Sequence, residues 1–396
     1  MTSASKSPLE RVAPLVRDLP RSGIRDFFDI VATRDDVISL GIGEPDFVTP
    51  WHIREAAIAS LERGATHYTS NLGLAELRKA ICRYVAHSYP GLSYDWRTET
   101  MVTVGVSEAL DAVIRAVVSP GDEVMYHEPC FVAYASIIRL AHGVPVPVET
   151  HADNDFRLTR EALEAAVTPR TKALLINFPC NPTGAVLDRE SAQMIADFIR
   201  EHDLLLISDE VYSELTYDVP RFSPMQIEGI RDQGVFLSGF SKAWAMTGFR
   251  LGFVCAPHDI LEAAMKVHQY AIMCAPVSSQ KAAVEAMDNG WEDIESMRGS
   301  YRDRRNFIWS SFRNMGVPCF KPQGAFYAFP DITCTGLSSY DFAHGLLDEE
   351  AVACVPGSAF GACGEGYVRC SYATDIEQIR EAMIRFARFV ERHHKS

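Results

Sequence analysis

Short apolar runs alternate along the chain with segments whose apolar residues recur every three or four positions. The run "MVTVG" (101–105) precedes the helical pattern "VSEALDAVIRAVV", and "TKALLINFP" precedes "DRESAQMIADFIREH". The alternation continues through "DEVMYHEP", "VPVPVE", "LLLISDE" and "GVFLSGF". Strands that are apolar throughout and alternate with helices are covered on both faces. The pattern therefore predicts an α/β fold with a mostly parallel sheet flanked by helices.

The pattern changes near residue 290, where a long charged helix precedes the short strand-like pieces "GAFYAFPDI", "AVACVPG" and "YVRCSYA" and a final helix. We expect an N-terminal arm (1–45) that packs on the small domain or the pocket, a large ligand-binding domain (46–289) and a smaller α+β C-terminal domain (290–396). Thr49 and Pro50 predict an N-cap and a first helical position for "WHIREAAIASLERG".

The composition is typical of a folded chain of two or three domains, with 47% apolar and 23% charged residues among 396. A net charge of −14 argues against a nucleic-acid surface. The N-terminal residues lack the pattern of a signal peptide, and runs such as "LLLIS" are far shorter than the ~20 residues of a membrane span. Ten cysteines without CxxC or metal-ligand spacing indicate reduced core thiols, so we expect a cytoplasmic protein with no metal site.

Lys242 follows the run "GVFLSGF" in an apolar setting. Phe240, Ala243, Trp244 and Met246 would bury its stem, and burial disfavours the ammonium form. A neutral amine is a nucleophile that forms a Schiff base with a carbonyl. A surface lysine is the ordinary alternative, so the interpretation depends on whether other residues can hold a carbonyl cofactor.

Several chemically distinct side chains stand just after the predicted strands, where ligands of open α/β sheets bind. Each alone could serve a turn or cap, but an acid, an amide, a phenol, hydroxyls and a lysine at one edge indicate a site. In chain order they are Val106, Ser107, Glu108, Phe131, Asn181, Asp209, Tyr212, Ser238, Ser241 and Lys242.

Their chemistry fits one ligand. Gly105 and the amides that follow it begin a helix and form an anion site, to which Arg250 and the two serines add groups suited to a phosphate monoester. Phe131 offers a flat face, Asp209 a partner for a ring N–H⁺, and Asn181 and Tyr212 donors to a ring oxygen. Phosphate, ring nitrogen, ring oxygen and a lysine-reactive aldehyde together describe pyridoxal 5′-phosphate.

The motifs "SGFSKAWAMTGFRLGF", "NPTG", "SDEVYSEL" and "YVRCSYA", in this order, resemble the class I/II aminotransferases of the pyridoxal-phosphate fold type I superfamily. The resemblance extends from "LGIGEPDF" to the C-terminal helix. It implies that Lys242 is the Schiff-base lysine and proton carrier, and that Asp209 is the partner of the pyridine nitrogen. It further implies that Arg369 binds the substrate α-carboxylate, to which Gly43 adds a backbone contact. Asn181, Tyr212 and Phe131 keep the roles given above.

The resemblance also implies a homodimer with shared active sites, because Tyr68 matches a tyrosine that contacts the phosphate of the other subunit. One departure is visible. Some relatives carry a phosphate-binding serine three residues before the lysine, where this chain has Gly239, so Ser238 or Ser241 has to serve.

We expect transamination between an L-amino acid and a 2-oxo acid by a ping-pong route. A carbon–sulfur β-lyase on the same fold is the nearest alternative, since it shares the lysine and the aspartate. A non-catalytic effector-binding module would need a DNA-binding region ahead of "SLGIGEPDF", and only about 38 residues precede it.

The expected amino donor is neutral, aromatic or aliphatic, and an aspartate-preferring enzyme is the alternative. An acidic side chain would need a second cation, and "VHQYAIMCAPVSSQ" contains no Arg or Lys while "GVSEALDAV" contains no Lys. The candidates for the pocket rim are instead apolar or aromatic: Ile24, Phe27, Phe28, Tyr270, Met273 and Phe326. Core or dimer packing is the alternative role for these residues.

Overall fold

The computed structural model describes residues 7–19, 34 and 36–394, and among them twelve strands form three sheets. The strands are β1 (Ile38–Ser39), β2 (Thr100–Thr103), β3 (Glu123–Glu128), β4 (Val144–Glu149), β5 (Thr171–Asn177), β6 (Leu205–Asp209), β7 (Gly234–Gly239), β8 (Gly252–Cys255), β9 (Tyr327–Ala328), β10 (Val352–Ala353), β11 (Val355–Pro356) and β12 (Val368–Ser371).

Helices cover these sheets and connect most of the strands. In the described residues they are α1 (Pro14–Arg17), α2 (Trp51–Glu62), α3 (Ala75–Ser88), α4 (Gly105–Val117), α5 (Ala133–Leu140), α6 (Arg160–Ala166), α7 (Arg189–Glu201), α8 (His258–Ala271), α9 (Val277–Asn289), α10 (Trp291–Asn314), α11 (Ser339–Glu350) and α12 (Ile376–His393). None of these helices has both the length and the apolar character needed to cross a membrane.

The largest sheet has seven strands in the order β2-β8-β7-β6-β5-β3-β4. The five strands from β7 to β4 run parallel, whereas β8 is antiparallel to both β7 and β2. Neighbouring side chains along a strand point to opposite faces of the sheet, and each face has its own hydrophobic core. In β5, Leu174 and Ile176 belong to the core on one face, and Ala173 and Leu175 belong to the core on the other. The predicted mostly parallel sheet with helices on both faces is confirmed.

The C-terminal part contains an antiparallel sheet, β11-β12-β9, against which α10 and α11 pack, while α12 packs on these two helices and on β10. It also contains β10, which pairs in parallel with β1, so Ile38 lies opposite Val352. Leu40 belongs to the same hydrophobic core as Phe342 and Phe386. The domain boundaries at 45/46 and 289/290 remain predictions, although α9 and α10 are separated there by Gly290.

The predicted capping role of Thr49 is wrong. Pro50 occupies the N-cap of α2 and makes no side-chain cap, and the helix begins at Trp51. The buried hydroxyl of Thr49 instead donates a hydrogen bond to the carbonyl oxygen of Ala245. Thr49 therefore ties the start of α2 to the loop that follows Lys242.

Candidate active site

A cavity of about 640 Å³ lies at the edge of the large sheet where the parallel strands have their carboxyl ends. Parallel strands bring the residues that follow them to one edge, which explains how segments distant in sequence meet there. Most of the predicted site residues line it: Gly43, Val106, Ser107, Phe131, Asn181, Asp209, Tyr212, Ser241, Lys242, Arg250 and Arg369.

Lys242 follows β7 and extends into this cavity between buried apolar neighbours, among them Phe240 and Trp244. Its Nζ donates a hydrogen bond to the carbonyl oxygen of Gly43. Burial, together with the nearby positive charge of Arg369, lowers the pKa of Lys242 to about 8. At that pKa about a tenth of the amine is unprotonated at pH 7, far more than for an ordinary lysine, and this is the form that a nucleophilic lysine requires.

Asp209 is the last residue of β6 and is buried. The phenol of Tyr134 donates to its Oδ2 at 2.8 Å, and the amide of Val211 donates to its Oδ1 at 3.2 Å. Burial raises the pKa of Asp209 to about 6, and these hydrogen bonds oppose the rise. The carboxylate is ionised at neutral pH and can hold a positive ring N–H.

The N-terminus of α4 forms an anion cradle together with Ser241 and Arg250. Gly105 is in the left-handed region, with φ +74°, and a Cβ added there would lie 2.8 Å from Nη2 of Arg250. The guanidinium can approach the first turn of the helix only because this residue has no side chain. Backbone N–H groups, a hydroxyl and a guanidinium converge on this end of the cavity, which suits a phosphate group.

Arg369 on β12 also lines the cavity. This buried guanidinium donates from Nη1 to Oδ1 of Asn181 at 2.9 Å and from Nη2 to the carbonyl oxygen of Gly41 at 2.6 Å. Its Nε has no hydrogen-bond partner among the described residues. A buried cation with donor capacity left over is suited to a carboxylate.

The cavity residues that are absent from the sequence prediction include Tyr134, Asn177 and Tyr327. Asn177 is the last residue of β5, so the strand-end rule could have found it; its side chain donates to the carbonyl oxygen of Asp209 at 2.9 Å. Tyr134 lies one helical turn after Phe131, and that spacing is a weaker signal. Nothing in the sequence around Tyr327 indicated a place in the cavity.

Two predicted cofactor residues, Glu108 and Ser238, do not line the cavity, and both predictions are corrected. The carboxylate of Glu108 accepts from the amide of Val104 at 2.8 Å and pairs with Nδ1 of His268 at 2.9 Å. Its own amide is the first that can bond within α4, which begins at Gly105. The hydroxyl of Ser238 donates to the carbonyl oxygen of Glu210 at 3.3 Å. Of the two serines, Ser241 is the one that faces the cavity.

Several predicted rim residues also lie elsewhere in the single chain. Tyr270 is 88% exposed and Met273 is also exposed, and neither lines the cavity. Tyr68, which is predicted to contact the phosphate of the other subunit and not the rim of its own site, is 81% exposed and does not line this cavity. Phe326 is fully buried behind the cavity, where its ring packs 5.5 Å from that of Tyr212, so its placement at the rim was wrong. The remaining three candidates, Ile24, Phe27 and Phe28, fall outside the described residues.

Comparison with known proteins agrees with this geometry. Residues 35–386 match the model of the family "Aminotransferase class I and II". The chain is 53% identical to YugH of Bacillus subtilis, a protein named as an aminotransferase, over 95% of this chain and 97% of that one. It is 48% identical to an aspartate aminotransferase of Pyrococcus abyssi over 92% and 94% of the two chains.

The crystal structure of an aromatic aminotransferase from Pyrococcus horikoshii superposes with a TM-score of 0.89. It is 46% identical in sequence and covers 93% of this chain and 99% of its own. The family match over residues 35–386 includes every strand of the described residues and every residue that lines the cavity. This chain is therefore an enzyme that belongs to the class I and II aminotransferase family.

Proposed function

We propose that this aminotransferase binds pyridoxal 5′-phosphate in the cavity and moves an amino group between a neutral L-amino acid and a 2-oxo acid. One observation carries the proposal. A lysine of lowered pKa lies in one cavity with a buried aspartate, an anion cradle and a buried arginine. These are the four groups that the cofactor and a substrate carboxylate require.

The residues present fit the cofactor. Gly105 allows the Arg250 guanidinium to lie against the first turn of α4, because a side chain there would occupy the space of the guanidinium, and both groups can then bind one phosphate. Asn181 uses its side-chain oxygen for Arg369, which leaves its amide N–H₂ free to donate to a ring oxygen. Phe131 lines the cavity and offers a ring face for stacking.

When bound, pyridoxal phosphate supplies an aldehyde that accepts the amino group and a ring that withdraws electrons from the substrate Cα. The protein's residues make this chemistry possible. Asp209 holds the proton on the ring nitrogen, and Tyr212 donates to the ring oxygen. Arg369 binds the α-carboxylate and thereby fixes the orientation of Cα, and Lys242 Nζ moves the proton at Cα.

A neutral donor is favoured by the charges around the cavity. The lysines and arginines among the described lining residues are Lys242, Arg250 and Arg369, and each already has a task. Glu44 also lines the cavity and would repel an acidic side chain. Of the relatives described above, one is named as an aspartate aminotransferase and another as an aromatic aminotransferase, so their names do not decide between the two classes of substrate.

We further propose a homodimer in which Tyr68 completes the active site of the neighbouring subunit. The supporting observation is a set of exposed apolar side chains in the segments near Tyr68 and the cavity mouth: Val48, Trp51, Tyr270, Ile272 and Met273. All ten cysteines are free thiols, which supports a location in the reducing cytoplasm.

Substrate choice is tested by comparing kcat/KM for phenylalanine, leucine, alanine and aspartate with 2-oxoglutarate as the common acceptor. We expect a neutral donor to have the highest value. If aspartate exceeds every neutral donor tenfold or more, the charge argument is wrong. A carbon–sulfur β-lyase would instead convert cystathionine and water to homocysteine, pyruvate and ammonia without consuming a 2-oxo acid.

A further inference from the structure

The side chain of Tyr327 contacts both Tyr212, a proposed cofactor ligand, and Arg369, the proposed ligand of the substrate carboxylate. Tyr327 lies on β9, is fully buried and lines the cavity. We propose that Tyr327 is a positioning residue with two separable roles: its hydroxyl orients the phenol of Tyr212, and its ring holds the guanidinium of Arg369. The inference rests on the proposed function and assigns a further residue to it.

The first role follows from a hydrogen bond between two phenols. The hydroxyl oxygens of Tyr327 and Tyr212 lie 2.8 Å apart, and both side chains are buried. A phenol has one O–H to donate. If Tyr212 donates to the ring oxygen of the cofactor, then the bond between the two phenols has to be donated by Tyr327. A hydroxyl that accepts a hydrogen bond becomes a stronger donor, so Tyr327 strengthens the contact that Tyr212 makes.

The second role follows from the position of Arg369 above the aromatic ring. The guanidinium carbon lies 4.4 Å from the centroid of the Tyr327 ring and 4.8 Å from that of Phe360. A desolvated cation over an aromatic face is attracted by the ring quadrupole. Because Arg369 has an unpaired Nε and only two hydrogen-bond partners in the described residues, the ring is a main determinant of its orientation.

Gly43 supports this assignment independently. A Cβ added at Gly43 would lie 2.7 Å from the Tyr327 hydroxyl and 3.7 Å from Nη2 of Arg369. The carbonyl of Gly43 also accepts from Nζ of Lys242. The backbone of this loop is thus packed against the hydroxyl of Tyr327. The same loop contacts Lys242 and lies close to Arg369, so a change in the position of Tyr327 would affect both of these site residues.

Two substitutions separate the roles. Tyr327→Phe removes the hydroxyl and keeps the ring, whereas Tyr327→Leu removes both. The first readout is the pH titration of the visible absorption of protein reconstituted with pyridoxal phosphate. The second is the Kd of 3-phenylpropionate, a carboxylate with no amino group to transfer, measured by calorimetry on the apoprotein and on the reconstituted protein. Neither readout requires turnover.

For Tyr327→Phe we expect the apparent pKa of the chromophore to rise by about half a unit, because a weakened Tyr212 stabilises the ring oxyanion less. Its Kd for 3-phenylpropionate should stay within about twofold of wild type. For Tyr327→Leu we expect the same spectral shift together with a Kd about tenfold weaker, the effect of a lost cation–π contact. Tyr372→Phe is the control, since it removes a buried hydroxyl that bonds the carbonyl of Ala325 at 3.3 Å outside the cavity.

The outcomes are distinguishable. If wild-type protein gives no chromophore with pyridoxal phosphate, the proposed function itself fails. If wild type gives one and Tyr327→Phe titrates like wild type, the hydroxyl role is wrong. If Tyr327→Phe loses as much carboxylate affinity as Tyr327→Leu, the ring role is wrong. If Tyr372→Phe reproduces the shift and the Kd change, both effects are general consequences of a removed buried hydroxyl, and the assignment is overturned.

Discussion

Adding one methyl group at Gly105 should weaken the binding of the cofactor phosphate. Two features of the residue determine this. Its φ of +74° lies in the left-handed region, where a side chain costs about 1–2 kcal/mol. Its Cβ would also lie 2.8 Å from Nη2 of Arg250, and ordinary contacts of this kind begin near 3.4 Å. The guanidinium therefore has to move by about 0.6 Å, the difference between these two distances.

The size of the effect depends on what that movement costs. A charge-assisted hydrogen bond between a guanidinium and a phosphate oxygen contributes about 1.5–3 kcal/mol. Losing one such bond weakens the Kd for pyridoxal phosphate by about 10- to 100-fold, since each 1.4 kcal/mol is a factor of ten. The backbone strain adds a separate loss of about 1–2 kcal/mol in the stability of the apoprotein.

The assay is a titration of apoprotein with pyridoxal phosphate followed by absorbance, together with a thermal unfolding curve of the apoprotein. Gly248→Ala is the matched control. Gly248 lines the same cavity, its added Cβ would contact nothing within 4 Å, and its φ is not left-handed. We expect wild-type Kd for Gly248→Ala and a weakened Kd for Gly105→Ala. A wild-type Kd for Gly105→Ala would refute the role of Arg250 as a phosphate ligand held against α4.

Three further predictions concern other residues. Lys242→Ala should lower the rate of transamination by about 10²–10⁴-fold or more. It should also abolish the mass increase that borohydride reduction with bound pyridoxal phosphate leaves on the peptide containing residue 242. Near-normal turnover would contradict the assignment of the lysine. Mixing inactive Tyr68→Ala chains with inactive Lys242→Ala chains should restore activity that neither has alone, and a mixture as inactive as its parents would count against shared sites. Burial lowers the pKa of His52, but its hydrogen bonds to Asp293 and Glu285 raise the pKa above its usual value. The contribution of His52 to the free energy of unfolding is therefore complete below about pH 6.5 and is lost as the pH rises through the raised pKa. In urea unfolding, the difference in free energy of unfolding between wild type and His52→Gln should become smaller over that pH range.

The sheet and most of the cavity could be predicted because two strong rules apply to them. Apolar strands alternating with helices define a parallel sheet, and the residues after such strands meet at one edge. Asp209, Asn181 and Lys242 follow directly from these rules. Arg369 lies on a strand of the other sheet, and only the motif resemblance indicated its place.

The errors have local geometric causes. The prediction that the amide of Glu108 contributes to the anion site was wrong because the first residue of α4 decides which amides remain free. The first residue of a helix is known from sequence only to within a residue or two. The prediction that Ser238 binds the phosphate was wrong because side chains alternate between the two faces of a strand, and the hydroxyl of Ser238 faces the backbone of Glu210. Tyr134 and Tyr327 were missed because each acts through contacts with another side chain, which depend on packing between segments that are distant in the sequence.

The pairing of β1 with β10 imposes an order on the assembly of this protein. Ile38 and Val352 are 314 positions apart (352 minus 38), and their strands are neighbours in parallel. A ribosome delivers the loop that contains Gly41 and Gly43 early, and it delivers Arg369, which donates to Gly41, only near the end. The strands of the large sheet, which contribute Asp209 and the segment before Lys242, are complete by residue 255. A nascent chain therefore contains every residue of the phosphate cradle well before it can hold a substrate carboxylate.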